Sequence, residues 1–254
     1  MTTIAVFNQK GGVAKTTTAL NLLAAVARHG QRPLAVDLDP QCHLTHIFGV
    51  QARLADDTMY SFFLRQRPLD EIAQITRSGV VLCPAHLELA KLDSLLGKGV
   101  NIVTRLRMAL HQPQSLPDVV IVDCCPLLNV LSLNAIFAAD LVLVPVSADF
   151  LSLKGAEQVE RALNALEPVF KRRLPRRYVL TRYDARRRMS AAVVEQMAAM
   201  LRAEEICATR IRESVRLAES PAVGLDIFRH DPDSRGAHDY AALFEELVSA
   251  GFLE

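Results

Sequence analysis

A short apolar run, Ile4-Ala5-Val6-Phe7, leads through two polar residues into Lys10-Gly11-Gly12-Val13-Ala14-Lys15-Thr16-Thr17. No other feature constrains the fold as strongly. Glycines let successive backbone N–H groups turn inward around phosphate oxygens, Lys15 is spaced to reach β- and γ-phosphates, and the Thr16 hydroxyl to hold Mg²⁺. Ala19, Leu20, Leu23, Ala24 and Ala27 then recur at helical spacing up to a stop at Gly30, so the loop feeds the positive end of a helix. Gly11, Gly12, Val13, Ala14, Lys15, Thr16 and Thr17 are the candidate nucleotide cradle. The bland alternative, a Gly-Gly turn followed by a solvated lysine, gives no reason for strand, loop and helix to occur in this order.

Further apolar runs fit the same plan. Val119-Val120-Ile121-Val122 ends in Asp123, the form of a fully buried parallel strand delivering one carboxylate to a metal site. Leu141-Val142-Leu143-Val144-Pro145-Val146 and Tyr178-Val179-Leu180-Thr181 are further candidate buried strands. Residues 52–76 look helical and link the strand ending in Val36 to Val80-Val81-Leu82-Cys83. About half of the 254 residues are apolar, enough for a sizeable core, and no linker, repeat or low-complexity run divides them. The expectation is an α/β chain with a single, doubly wound, mostly parallel sheet flanked by helices, residues 1–254 forming one domain.

The loop departs from the plain GxxxxGK[ST] pattern, with Gln9 and Ala14 at its glycine positions and Lys10 as an added lysine. In this it resembles the ParA/MinD family of deviant Walker ATPases, whose loop is KGGxGK[ST][ST]. The likeness continues through Val36-Asp37-Leu38-Asp39-Pro40-Gln41, similar to the family's DxDPQ segment, and through Asp123-Cys124-Cys125-Pro126 with Leu133-Asn134-Ala135, where Cys125 stands in place of a proline. Val215-Arg216-Leu217-Ala218-Glu219-Ser220-Pro221 resembles VRLSEAP, and Asp231-Pro232-Asp233-Ser234-Arg235-Gly236-Ala237 resembles DPxSxGA. The resemblance implies ATP and Mg²⁺ as cofactors, Lys10 reaching the partner subunit's nucleotide in an ATP-bound homodimer, and Lys15 on the phosphates. It further implies Asp39 serving the attacking water, and Thr16, Asp37 and Asp123 at the metal. Ile211-Arg212-Glu213-Ser214 departs from the family's IPRN, which helps to hold adenine; the resemblance puts Arg212 among the nucleotide contacts. On the residues alone, Asp37 to Asp39 reads first as an Asp-Pro turn with Asp37 as a helix cap.

A net charge of +1 hides a local concentration: half of residues 171–188 are Lys or Arg, against the single acid Asp184. Such runs are either solvated faces or footprints for polyphosphate. In the family, basic residues after a TxYD-like segment, here Thr181-Arg182-Tyr183-Asp184, and the arginine of VRL grip DNA. The resemblance therefore implies nonspecific double-stranded DNA binding through Arg182, Arg186, Arg187, Arg188 and Arg216, with phosphate contacts and no base readout. It also implies a ParB-like or cargo-adaptor activator and a role in partitioning or positioning a cargo. The first strand begins almost at Met1, and no apolar run approaches the ~20 residues of a membrane span. The expectation is a cytoplasmic, nucleoid-associated ATP hydrolase without membrane insertion. Two alternatives remain: a MinD-like or other spatial regulator acting through membrane or protein partners without DNA, and an iron–sulfur carrier using Cys124-Cys125. The five cysteines have no CxxC spacing and fit small, reduced core residues.

Overall fold

The structure, a computed structural model, describes residues 1–96, 99–112 and 117–254. Eight strands form one sheet: β1 (Thr2–Val6), β2 (Pro33–Leu38), β3 (Gln74–Ile75), β4 (Val81–Cys83), β5 (Val119–Cys124), β6 (Leu141–Ser147), β7 (Arg176–Tyr183) and β8 (Ile206–Arg212). Their spatial order is β3-β4-β2-β5-β1-β6-β7-β8, every pair parallel except β3 with β4. The five longest helices among the described residues are α1 (Lys15–Arg28), α2 (Val130–Ala138), α3 (Phe150–Phe170), α4 (Arg188–Met200) and α5 (Arg235–Ser249).

Period-2 alternation splits the buried side chains into two cores, one per sheet face. Ile4, Val6, Ile121, Leu141 and Leu143 pack with Leu22, Leu23 and Val26 of α1 and with Tyr240, Leu243 and Phe244 of α5. Ala5, Phe7, Val120, Val122, Val142 and Val144 pack against α2, α3 and α4. Right-handed crossovers dictate this division. The chain leaves β1 toward β2 under α1 and later passes from β5 to β6, β7 and β8 in the opposite direction, so its helices then lie on the other face. β1 sits where the direction reverses, and the crevice beyond its carboxyl end is the place such a sheet offers to a ligand. Among the described residues no helix is long and apolar enough to cross a membrane.

Residues 52–76 are not the single helical stretch expected from sequence. A 3₁₀ turn (Ala55–Asp57), a helix (Met59–Arg65), a one-turn helix (Leu69–Ile72) and β3 replace it. Gln66 ends the longer helix at φ +58, and Pro68, with no N–H to donate, prevents its continuation. Helix α1 stops at Arg28, with Gly30 at φ +79 closing the turn.

Candidate functional site

The phosphate-type loop runs from the end of β1 to the first turn of α1. Gly12 and Ala14 are both left-handed, at φ +77 and +68. Gly12 adopts this without penalty, whereas Ala14 carries a Cβ in a region that costs an ordinary residue about 1–2 kcal/mol. Thr181 Oγ1 at the end of β7 donates to the Val13 carbonyl at 3.1 Å and pins the loop's middle. Lys15 is only 7% exposed, and its Nζ donates to the Lys10 carbonyl at 2.9 Å. Burial lowers its pKa, opposed by the nearby Asp123 and Asp39 carboxylates. Lys10 is held inside its own chain, its Nζ at 2.7 Å from Asp149 Oδ1 and donating to Ser152 Oγ at 2.9 Å. Asp149 also caps α3 by accepting from the Ser152 amide at 2.9 Å. Although partial burial works against it, the Lys10 ammonium and the Ser152 donors hold its carboxyl well below the usual carboxylate range.

Three carboxylates converge at the carboxyl ends of β2 and β5. Asp37 and Asp123 are register partners on adjacent strands, and both are fully buried. Asp37 Oδ1 accepts from the Asp39 amide at 3.0 Å, and Oδ2 from the Thr45 amide and hydroxyl at 2.9 and 2.7 Å. Thr45 lies in the short helix His43–Ile47, so the turn-and-cap reading of Asp37 describes its present contacts. Asp39 Oδ1 closes a tight turn by accepting from the Gln41 amide at 2.9 Å. Asp123 differs from both. Among the described residues neither of its oxygens has a hydrogen-bond partner; the Thr16 hydroxyl lies near enough to favour ionisation but makes no hydrogen bond of ordinary geometry. Burial, then the neighbouring Asp37, pushes the Asp123 pKa well up, and burial pushes Asp37 up too. An orphaned buried carboxylate beside a hydroxyl and a second carboxylate is a donor set of hard oxygens, and it fits Mg²⁺. The thiols nearby take no part: burial raises Cys42 to about 12, Cys125 to about 11, and Cys124 well above its usual value.

Beside the loop lies a cavity of about 370 Å³, large enough for a nucleoside, lined by Gly12, Thr17, Arg182, Arg212, Glu213 and Tyr240 among others. Arg212 is clamped by Asp239, its Nε at 3.0 Å from each carboxylate oxygen and its Nη2 at 2.5 Å from Oδ1. Tyr240 hydroxyl and Thr18 Oγ1 are 3.2 Å apart and tie α5 to α1 behind it.

The basic run is divided between the two ends of β7. At its start, Arg173 and Arg176 are consumed by Glu160, Glu167 and Glu205. Arg177 lies with its guanidinium carbon 4.9 Å from the Phe252 ring centre. At the other end Arg182, Arg186, Arg187 and Arg188 are all exposed, and Arg216 stands on the neighbouring helix Val215–Glu219. Arg186 pairs with Asp184, Arg187 with Asp184 and Glu213, and Arg216 with Glu219 and Asp231. Arg188 makes no ion pair among the described residues.

Residues 1–175 match the family model described as an AAA domain. The sporulation initiation inhibitor protein Soj of Bacillus subtilis (strain 168) is 34% identical over 250 residues, spanning 98% of each chain. The chain belongs to the ParA/Soj branch of the ParA/MinD ATPases. Another Soj relative, the chromosome-partitioning ATPase of Thermus thermophilus, is 39% identical, with 97% of this chain and 95% of that protein covered. A solved structure of cobyrinic acid a,c-diamide synthase from Mycobacterium smegmatis, with bound ADP and magnesium, is 30% identical at a TM-score of 0.84, covering 98% of this chain and 95% of that one.

Several residues of this ParA-type site escaped sequence reasoning. Asp149 carried a signal, an acid at the junction of a strand and a helical run, where an N-cap belongs. Asn8 anchors the loop by donating to the Pro145 carbonyl at 2.8 Å and accepting from the Lys10 amide at 2.9 Å. Gly155 lets α3 approach the loop, since a Cβ there would sit 3.1 Å from Lys10 Cβ. Neither carried a local signal.

Proposed function

We propose that residues 1–254 act as one ParA-type ATP hydrolase that uses ATP and Mg²⁺ to control assembly and DNA binding, and thereby partitions or positions a cargo. The orphaned Asp123 carboxylate, buried at the end of β5 beside Lys15 and Thr16, carries this reading. The relatives' names and the ADP and magnesium bound to the mycobacterial structure support it. Lys15 exchanges the Lys10 carbonyl for β- and γ-phosphate oxygens, while the loop amides and the N-terminus of α1 supply the remaining donors. Thr16, Asp123 and Asp37 would hold Mg²⁺, which would supply positive charge against the phosphates. Asp39 orients the attacking water. Arg212, fixed by Asp239, borders the base.

The second lysine must leave Asp149 before it can act across a dimer. In this reading Lys10 exchanges Asp149 for the partner's phosphates when two ATP-bound subunits meet. The exposed arginines of both subunits then hold duplex DNA through its backbone, and hydrolysis, accelerated by a partner protein on the cargo, reverses both steps. The MinD-like membrane alternative gains nothing from α5, whose Glu246 is spent on the Ala208 and Thr209 amides of the edge strand β8, at 2.7 and 2.8 Å.

Calorimetry and light scattering with a non-hydrolysable ATP analogue test the reading. Lys15→Ala should lose ATP–Mg²⁺ binding, Lys10→Ala should bind ATP yet stay monomeric, and Asp39→Ala should bind, dimerise and not turn over. Unchanged ATP affinity in Lys15→Ala would remove the nucleotide-site assignment.

A further inference from the structure

Glu213 lies between the nucleotide cavity and the arginine face. It follows β8 directly, and its amide donates to the Tyr183 carbonyl at 3.0 Å, fixing it to the end of β7. Its two carboxylate oxygens divide between two arginines: Oε1 accepts from Arg182 Nη2 at 3.2 Å, and Oε2 lies 2.9 Å from Arg187 Nη1. Arg182 is itself left-handed, at φ +52, where the β7–β8 ladder loses its register. A residue without a glycine's freedom holds that conformation only where its surroundings impose it. Glu213 and Arg182 also line the cavity that Gly12 and Thr17 border. One carboxylate therefore touches both the space for a nucleotide and two of the five arginines assigned to DNA.

We propose that Glu213 is the affinity-setting residue of the polyanion face. In the nucleotide-free chain it occupies Arg182 and Arg187 as an internal stand-in for phosphate, and it yields them when nucleotide fills the adjoining cavity. The proposal rests on the DNA-binding reading above. Exposed ion pairs of this kind are each worth no more than about 1 kcal/mol, so a duplex phosphate with its released counterions can displace them. While the carboxylate stays, it also repels the incoming phosphates, and both effects oppose binding. The anionic nucleotide supplies the bias: its phosphates, held by the loop, repel the same carboxylate from the other side.

The test is Glu213→Gln, which keeps size and removes charge, with fluorescence anisotropy on a labelled duplex at low salt, with and without ATP. Without nucleotide the variant should bind at least tenfold more tightly than wild type and show a smaller ATP dependence. Because coupling is reciprocal, its ATP affinity in calorimetry should rise too, by no more than the gain in DNA affinity. Adding Arg182→Gln should reduce the gain, since only Arg187 is then released, and Glu71→Gln, the same charge change on a distant helix, should not reproduce it. Equal nucleotide-free affinity in Glu213→Gln and wild type, with wild type still binding under ATP, would overturn this inference alone, as would an equal gain in Glu71→Gln. No DNA binding by either protein under any nucleotide would overturn the DNA reading, and this inference with it.

Discussion

At the start of β7 Arg176 is completely buried, its Nη1 donating to Glu160 at 2.9 Å, its Nη2 to Glu167 and its Nε to the Leu174 carbonyl at 3.0 Å. Beside it Arg173 forks onto Glu205 at 2.6 and 2.8 Å, and the Tyr178 hydroxyl donates to Glu160 at 2.6 Å. At the other end of the same strand, roughly 25 Å away at about 3.3 Å per residue, Arg186 is 90% exposed and Arg182 and Arg187 more than half exposed. Both ends are arginine paired with acid. What differs is water. A buried guanidinium cannot release its carboxylates without leaving charge in a poor solvent, whereas an exposed one trades partners at little cost. The first group is committed to the fold, and only the second is available to a phosphate backbone.

The largest effect expected from this contrast is on stability. Arg176→Met should destabilise by roughly 3–5 kcal/mol, because Glu160 and Glu167 lose their buried cation and Arg173 offsets their charges only in part. Urea unfolding measures it; a loss below about 1 kcal/mol would mean the network is solvated. A smaller loss should appear with pH. Burial works against ionised Glu160, but hydrogen bonds from Tyr178 and Arg176 outweigh it and hold its pKa near about 2, against the usual 4.5. A depressed carboxylate contributes stability that is complete above its unfolded pKa and lost as pH falls through the folded value. Stability should therefore decline between about pH 4.5 and 2, and more shallowly in Glu160→Gln.

At the exposed end the order of effects reverses. Arg187→Glu should leave thermal unfolding within about 0.5 kcal/mol of wild type. The same change should weaken binding to all duplexes alike, by about tenfold or more, and flatten the log–log salt slope by about 0.9 per lost contact. A sequence-selective loss would contradict phosphate-only recognition. The smallest expected effect lies outside β7. Ala14→Gly relieves a left-handed alanine but adds backbone freedom to the unfolded chain, so a net gain of about 0.5–1 kcal/mol is expected in the same urea assay.

The sequence already displayed the strand, loop and helix around Lys15, the buried strand ending in Asp123, and the parallel architecture, because each depends on local order and period. Long-range pairing was not legible. Lys10 meets Asp149 across 139 positions, and Arg176 finds Glu160 across a helix–strand crossover; the position of Asp149 marks a helix cap, but nothing local marks either acid's partner. The basic run misled for a related reason. Linear density cannot distinguish the two ends of a strand, so Arg173 and Arg176 counted toward a surface they do not join. The broken helices of residues 52–76 were hidden because Gln66 and Pro68 interrupt a pattern that is otherwise apolar at helical spacing.

The most direct test of an ATP-controlled, sequence-indifferent DNA switch is anisotropy titration of wild-type protein against two unrelated labelled duplexes. It would be run with ATP and Mg²⁺, with ADP and Mg²⁺, and without nucleotide, across several salt concentrations. Binding should require ATP, be equal for both duplexes and weaken steeply with salt. Strong preference for one duplex, or no binding with ATP at low salt, would contradict the account.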